Sequence, residues 1–155
     1  MLVKGDPIPK ALLPDENDTM VELSALSGSY IVLYAYPKDD TPGCTAEACS
    51  FRDQSQTLSD LGVSVFGISP DTPSSHRKFK RKYNLNFTLL SDEGHVVLEQ
   101  LGAWGEKSMY GKTYMGVLRS TYLFGPDGTL LQTWPKVTPA THGEEIAAYL
   151  QSLKG

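Results

Sequence analysis

The chain carries two cysteines, Cys44 and Cys49, and the residues leading to the first give it a chemical setting. Pro37-Lys38-Asp39-Asp40-Thr41-Pro42-Gly43-Cys44 runs from an apolar, β-branched and aromatic segment into a stretch with helical spacing that begins at Thr45. That junction is the carboxyl end of a strand, where open α/β sheets place their active sites. Cys44 then falls in the first helical turn, where unpaired N–H groups and the helix dipole favour a thiolate over a thiol. A nucleophile is the natural use of such a group. A cysteine of purely structural use is a small buried hydrophobe, with no need of a Pro/Gly loop in front of it. Thr41, three residues earlier, offers a hydroxyl that can donate and accept hydrogen bonds in the same pocket, although its position equally suits a helix cap.

Cys49 follows Cys44 at i+5. On a continuous helix that spacing means about 8.7 Å between Cα atoms, whereas a disulfide tolerates no more than about 7 Å. Two readings stay open. Either the first turns unwind to let the cysteines bond, making the pair a conformational switch, or Cys49 is core. Two cysteines are too few for a secreted disulfide framework or a four-thiolate zinc site. His76, His95 and His142 lie in separate segments, none at metal-ligand spacing from the thiols.

The elements that would position the thiol can be read from periodicity. Tyr30 to Tyr36 is apolar on both faces, as expected of a central strand covered on both sides, and Val63 to Ile68 repeats the signal. Between them, Ala48, Phe51, Leu58 and Leu61 form a helical stripe over Thr45 to Leu61. A second helix is predicted from Pro73 to Tyr83, with Thr72 as cap and Phe79 and Tyr83 on its buried face. Phe87 to Ser91 reads as a short strand. Thr121 to Phe124 and Leu130 to Trp134 flank Gly125-Pro126-Asp127-Gly128, a turn that predicts a hairpin. A last helix has a capping box in Thr141 and Glu144 and a stripe of Ile146, Tyr149, Leu150 and Leu153. The order βαβα then ββα implies an α/β architecture, a mixed central sheet flanked by helices on both faces, which is a thioredoxin-like fold.

Composition agrees with one soluble domain spanning residues 1–155. Hydrophobic residues make up 40% and charged residues 21%, within the usual range for a single core. The formal charge of −4 repels a polyanion, which argues against nucleic-acid binding. Arg77, Lys78, Lys80, Arg81 and Lys82 form a basic run, best read as a solvated helix face. The apolar run of Tyr30 to Tyr36 is far short of the roughly 20 residues that cross a bilayer, and Met1 to Pro9 has no signal-peptide pattern. No membrane association and a cytoplasmic location are the expectations.

The string Tyr36-Pro-Lys-Asp-Asp-Thr-Pro-Gly-Cys44-Thr-Ala-Glu47-Ala-Cys49, with its Pro37-x-x-x-Thr41-x-x-Cys44 core, resembles the peroxiredoxin family, in its peroxiredoxin Q or bacterioferritin comigratory protein branch. The likeness continues through Ser69-Pro-Asp-Thr-Pro-Ser-Ser-His76, Leu89-Leu-Ser-Asp92, Trp104-Gly-Glu-Lys107, Met109-Tyr-Gly-Lys112 and Gly116-Val-Leu-Arg119-Ser-Thr121. The resemblance implies a thiol peroxidase that reduces hydrogen peroxide and organic hydroperoxides in antioxidant defence. By the same resemblance Cys44 is the peroxidatic cysteine, Thr41 and Arg119 hydrogen-bond the peroxide, Pro37 shields the pocket, and Glu47 helps hold Arg119. Cys49 matches the resolving cysteine of one subset of the branch. Its disulfide with Cys44 would be reduced by a thioredoxin-like dithiol protein, with glutaredoxin or glutathione as alternatives, and no cofactor or metal is implied. The physical logic agrees, since displacement at oxygen needs an anionic nucleophile, fixed donors at the developing alkoxide and partial exclusion of water.

Two other functions remain to be distinguished. A general disulfide oxidoreductase usually uses Cys-x-x-Cys, and four residues intervene here. A redox sensor or chaperone-like protein would oxidise once, whereas a peroxidase turns over with reductant. Trp104, Tyr110 and Tyr114 do not decide between a monomer, which is the expectation, and a weak dimer.

Overall fold

The computed structural model describes residues 2–26 and 28–154. In chain order its strands and α-helices are β1 (Leu12–Pro14), β2 (Met20–Glu22), β3 (Tyr30–Ala35), α1 (Pro42–Asp53), α2 (Ser55–Asp60), β4 (Val63–Ser69), α3 (Pro73–Tyr83), β5 (Thr88–Ser91) and α4 (Val96–Leu101). They continue with β6 (Trp104–Met109), β7 (Lys112–Val117), β8 (Ser120–Phe124), β9 (Leu130–Trp134) and α5 (His142–Lys154). None of the helices is long and apolar enough to cross a membrane, among the described residues.

The central sheet has the order β5-β4-β3-β8-β9. β3 pairs in parallel with β4 and antiparallel with β8, so the sheet is mixed. Because side chains alternate along a strand, Ile31, Leu33 and Ala35 enter one core while Val32, Tyr34 and Tyr36 enter the other. The first core is closed by Val97, Leu98 and Leu101 of α4 and by Ile8, Leu13 and Leu23 from the amino-terminal segment. On the opposite face pack Ala48 and Phe51 of α1, Leu58 of α2, Phe79 of α3, and Ile146 and Leu150 of α5. Helices cover both faces of a mixed sheet, the thioredoxin-like arrangement predicted from the element order.

The differences from the sequence expectation have local causes. The helix predicted over Thr45 to Leu61 begins earlier, at Pro42, with Thr41 extended at its cap (φ −105°, ψ 156°) and proline in the first turn. It also breaks at Gln54, whose N–H turns to the carbonyls of Phe51 and Arg52. Phe51 and Leu58 are buried in the same core on either side of the break, so the apolar spacing does not register it. The predicted capping box at Thr141 is replaced by a tertiary cap, since the Gly143 N–H donates to Ser50 Oγ at 2.7 Å. α1 and α5 approach so closely there that a Cβ on Gly143 would lie 2.4 Å from the Ser50 carbonyl oxygen. Leu153 is exposed, and the buried stripe of α5 ends at Leu150.

β6 and β7 form a separate antiparallel hairpin. Tyr110 and Gly111 both have positive φ at its tip (54° and 78°), the backbone of a type I′ turn. Most of its residues are exposed on both faces, so no apolar alternation marks it in the sequence.

Gly67 of β4 lies opposite Tyr34 of β3, and a Cβ there would meet Leu89 Cδ2 at 2.9 Å and the Tyr34 phenol at 3.0 Å. Gly67→Ala is therefore expected to destabilise the fold by about 1–3 kcal/mol through overpacking, measured by urea unfolding. A variant as stable as the parent would show that Tyr34 is free to shift.

Candidate active site

Sheet register explains how residues 75 positions apart meet. Ala35, the last residue of β3, pairs with Ser120, the first of β8. Arg119 therefore emerges beside the loop that leaves β3 for α1. Cys44 lies in the first turn of that helix, whose first backbone bond runs from Thr45 N–H to the Thr41 carbonyl at 2.8 Å. The Cys44 side chain is buried, with 1% relative exposure, and Arg119 Nη2 donates to its Sγ at 3.2 Å. Arg119 Nη1 donates at 2.6 Å to Oε1 of Glu47, one turn further along α1. One guanidinium thus joins the sulfur to a carboxylate.

Electrostatics follow from this burial. Glu47 is fully buried, which raises its pKa to about 7, and the opposing attraction of Arg119 only partly offsets the cost. Burial also disfavours the charge on Arg119, but Glu47 and Cys44 outweigh it and hold the guanidinium above its ordinary value. Oε2 of Glu47 has no hydrogen-bond partner among the described residues, and neither has the hydroxyl of Tyr34. Burial, followed by the charges of Glu47 and Cys44, pushes the Tyr34 phenol well up. The guanidinium is thus held between the carboxyl and the sulfur in a pocket shielded from water.

Space around the guanidinium is tight. A Cβ on Gly43 would lie 3.2 Å from Arg119 Nη2, so glycine lets the backbone approach. Pro37 is half-buried at the start of the loop. The Thr41 side chain makes no cap hydrogen bond and instead donates to the Lys38 carbonyl at 2.9 Å. With its hydrogen committed there, the hydroxyl oxygen has lone pairs left that can serve only as acceptors. Cys49 is a free, half-buried thiol on the same uninterrupted helix as Cys44, so the helical form keeps the two cysteines apart.

Sequence reasoning missed the group that holds the loop. Asp39 is buried and accepts from the Tyr36 hydroxyl at 2.6 Å and the Ser75 hydroxyl at 2.8 Å, while His76 Nδ1 lies 2.7 Å from its Oδ2. Asp40 reaches Lys82 at 2.8 Å and Tyr83 at 2.6 Å. A signal was available, because His76, Phe79 and Tyr83 share one stripe of α3. The basic run on that helix is also less free than its reading as a solvated face implies. Besides Lys82, Lys80 pairs with Glu16, and Arg77 donates to the Glu16 carbonyl at 3.2 Å. The other two histidines lie elsewhere: His142 is buried against Thr121 and Glu145, and His95 stacks on Trp104.

Comparison with known proteins adds a lineage to this geometry. A sequence profile of the AhpC/TSA family matches residues 4–133. The chain is 45% identical over 150 residues to peroxiredoxin Bcp of Bacillus subtilis, covering 97% of this chain and 94% of that protein. It is 43% identical over 150 residues to peroxiredoxin Bcp of Escherichia coli, covering 97% and 96%. Among solved structures it is similar to the Xanthomonas campestris bacterioferritin comigratory protein, in a study of that protein's alkyl peroxide reduction activity. The TM-score is 0.88 at 32% identity, over 97% of this chain and 100% of the other.

The raised pKa of Glu47 has a consequence for stability. A carboxyl whose folded pKa (about 7) exceeds its ordinary 4.5 keeps its proton longer in the folded chain. It therefore costs stability as pH rises from 4.5 to 7 and nothing more above, in all roughly 3 kcal/mol. Glu47→Gln removes the titration, so the variant's stability relative to the parent should rise between pH 5 and pH 8. Urea unfolding at the two values checks it, and a pH-independent difference would contradict the buried-carboxyl assignment.

Proposed function

The chain belongs to the peroxiredoxin (AhpC/TSA) family, in its bacterioferritin comigratory protein or Q branch, and from that premise we propose that it is a thiol peroxidase with Cys44 as its nucleophile. The observation that supports this most is the bond from Arg119 to the Cys44 sulfur, with Glu47 behind the guanidinium. Hydrogen peroxide and organic hydroperoxides are the substrates. The Cys44 thiolate attacks the terminal peroxide oxygen, a sulfur–oxygen bond forms, and the oxygen–oxygen bond breaks. The leaving alkoxide or hydroxide takes a proton and departs as alcohol or water, and Cys44 becomes a sulfenic acid.

Each neighbour has a part in that displacement. Thr41 accepts from the peroxide O–H, which orients the oxygen–oxygen bond toward sulfur. Arg119 donates to the peroxide oxygens as charge develops on them, a fixed donor needing no reorganisation. Pro37 limits water at the pocket mouth. Glu47 holds the guanidinium in place and, through its own charge state, sets how much positive charge the sulfur feels.

Recycling uses Cys49. Its thiol attacks the Cys44 sulfenic acid, a disulfide forms and water leaves. The two Cα atoms must close from a helical separation of about 8.7 Å to within about 7 Å, so the start of α1 unwinds. The far end of the helix is anchored by Ser50 to Gly143 and by Arg52 to the Tyr83 carbonyl at 2.7 Å, which confines the change to residues 42–49. A thioredoxin-like dithiol then supplies two electrons and two protons, restoring both thiols. The setting we propose is cytoplasmic antioxidant defence.

Intact mass and thiol counting after one equivalent of hydrogen peroxide test the scheme. Wild type should lose two hydrogens and both thiols while staying monomeric. Cys49→Ser should gain one oxygen at Cys44 and turn over only with an external thiol, and Cys44→Ser should consume no peroxide. Peroxide consumption by Cys44→Ser at the parent rate would refute the assignment. Arg119→Ala is expected to slow the first oxidation by about a hundredfold, read by stopped flow, and an unchanged rate would make Arg119 structural only.

A further inference from the structure

The Lys38–Asp39 peptide is held on both its polar atoms. Its carbonyl accepts from the Thr41 hydroxyl at 2.9 Å, and its N–H donates to Asp71 Oδ2 at 2.9 Å. Asp71 is fixed in turn by Ser69 Oγ at 2.6 Å from the carboxyl end of β4. The Asp39 side chain is held by α3, through His76 Nδ1 at 2.7 Å and Ser75 Oγ at 2.8 Å. The direction in which the Thr41 oxygen presents its lone pairs is thus set by a peptide plane gripped from β4 and α3.

Hydrogen-bond stereochemistry shows how firmly His76 grips. Its Nε2 lies 2.9 Å from the Leu90 carbonyl, an acceptor only, so Nε2 carries a hydrogen. Nδ1 faces the Asp39 carboxyl at 2.7 Å, a contact that needs a second proton between them. His76 has no exposure and Asp39 only 7%, so water does not compete for either bond. The ligand-type atoms of Asp39, Asp71 and His76 lie within 4.8 Å of one another, but every one of these side chains already has protein partners. The cluster works as a hydrogen-bonded brace.

We infer that His76, through Asp39 and the Lys38–Asp39 peptide, is a positioning residue for the Thr41 hydroxyl and hence for peroxide at Cys44. This rests on the peroxidase reading and deepens it. His76 touches neither sulfur nor substrate. Its effect passes through Thr41, which separates this role from a general contribution to folding, because removing Thr41's hydroxyl must remove His76's influence as well.

The experiment is a double-mutant cycle on the first oxidation of Cys44 by hydrogen peroxide, in a Cys49→Ser background so that one thiol is read. His76→Gln can satisfy the Leu90 carbonyl or Asp39 but not both in the present geometry. It should slow oxidation by about tenfold, since small misplacements of a positioning group cost one to two orders of magnitude. With Thr41→Val already present, the same substitution should change the rate by less than about twofold. Ser75→Ala, which removes one half-buried hydroxyl from Asp39, is the second variant if His76→Gln does not fold, and the same non-additivity is expected of it. Equal slowing with and without the Thr41 hydroxyl, or no slowing in either, would overturn the inference while leaving the peroxidase standing. A Cys49→Ser parent that peroxide does not oxidise would overturn the peroxidase reading and this inference with it.

Discussion

The site depends on one guanidinium being kept where both of its acidic partners can use it. Arg119 is only partly shielded, whereas Glu47 is fully buried beneath it. A buried carboxylate is costly unless paired, and here the cost is visible in the raised pKa of Glu47. The fold tolerates that because the same pairing directs Nη2 at the Cys44 sulfur. A hydrophobic residue at position 47 would relieve the burden and leave the guanidinium without a fixed direction. The carboxylate is better understood as a positional constraint than as a source of stability.

That constraint requires the first turn of α1 to be ordered, while the disulfide we propose between Cys44 and Cys49 would require the same turn to come apart. The helix resolves the conflict by its unequal ends. Toward its carboxyl end it is tied to α5 through Ser50, to α3 through Arg52, and to the sheet through Phe51. At its amino end the Thr41 hydroxyl is turned away from capping, so part of the usual stabilisation of a helix start, about 1 kcal/mol, is forgone. The lone pairs of the same hydroxyl are thereby left free, as the peroxide contact we propose for it requires. Loss of a cap and gain of an acceptor are one choice, and they make the turn carrying the nucleophile the easier one to unwind.

The parts of this arrangement that the sequence disclosed are those with a local signature. The run of Ile31 through Tyr36 that is apolar on both faces, the helical stripe containing Ala48 and Phe51, and the Pro/Gly loop before Cys44 each express a short-range rule. Arg119 was legible only through the motif around it, since a strand-edge arginine by itself says nothing about a sulfur 75 residues away. The Gln54 break escaped because Phe51 and Leu58 serve the same core from both sides of it. The β6–β7 hairpin escaped because exposed strands carry no alternation. His76 differs again: its spacing to the cysteines excludes a shared metal site, and although it lies on the stripe of Phe79 and Tyr83, its partner Asp39 is 37 residues away and no local pattern links them.

The residues that were hardest to read share one property, which is that their partners are brought by the sheet. Asp39 meets His76 because β3 and β4 run parallel and place the loops after them side by side. Arg119 meets Cys44 because β8 runs antiparallel to β3 and begins where β3 ends. Both contacts sit at the carboxyl end of the same central strand, one on the side of β4 and the other on the side of β8, so each depends on a different pairing of β3. An active site built in this way assembles together with the sheet. The residues from Pro42 to Cys49 take their order from helical bonds and not from strand pairing, so the unwinding we propose for them would leave the pairings of the sheet intact.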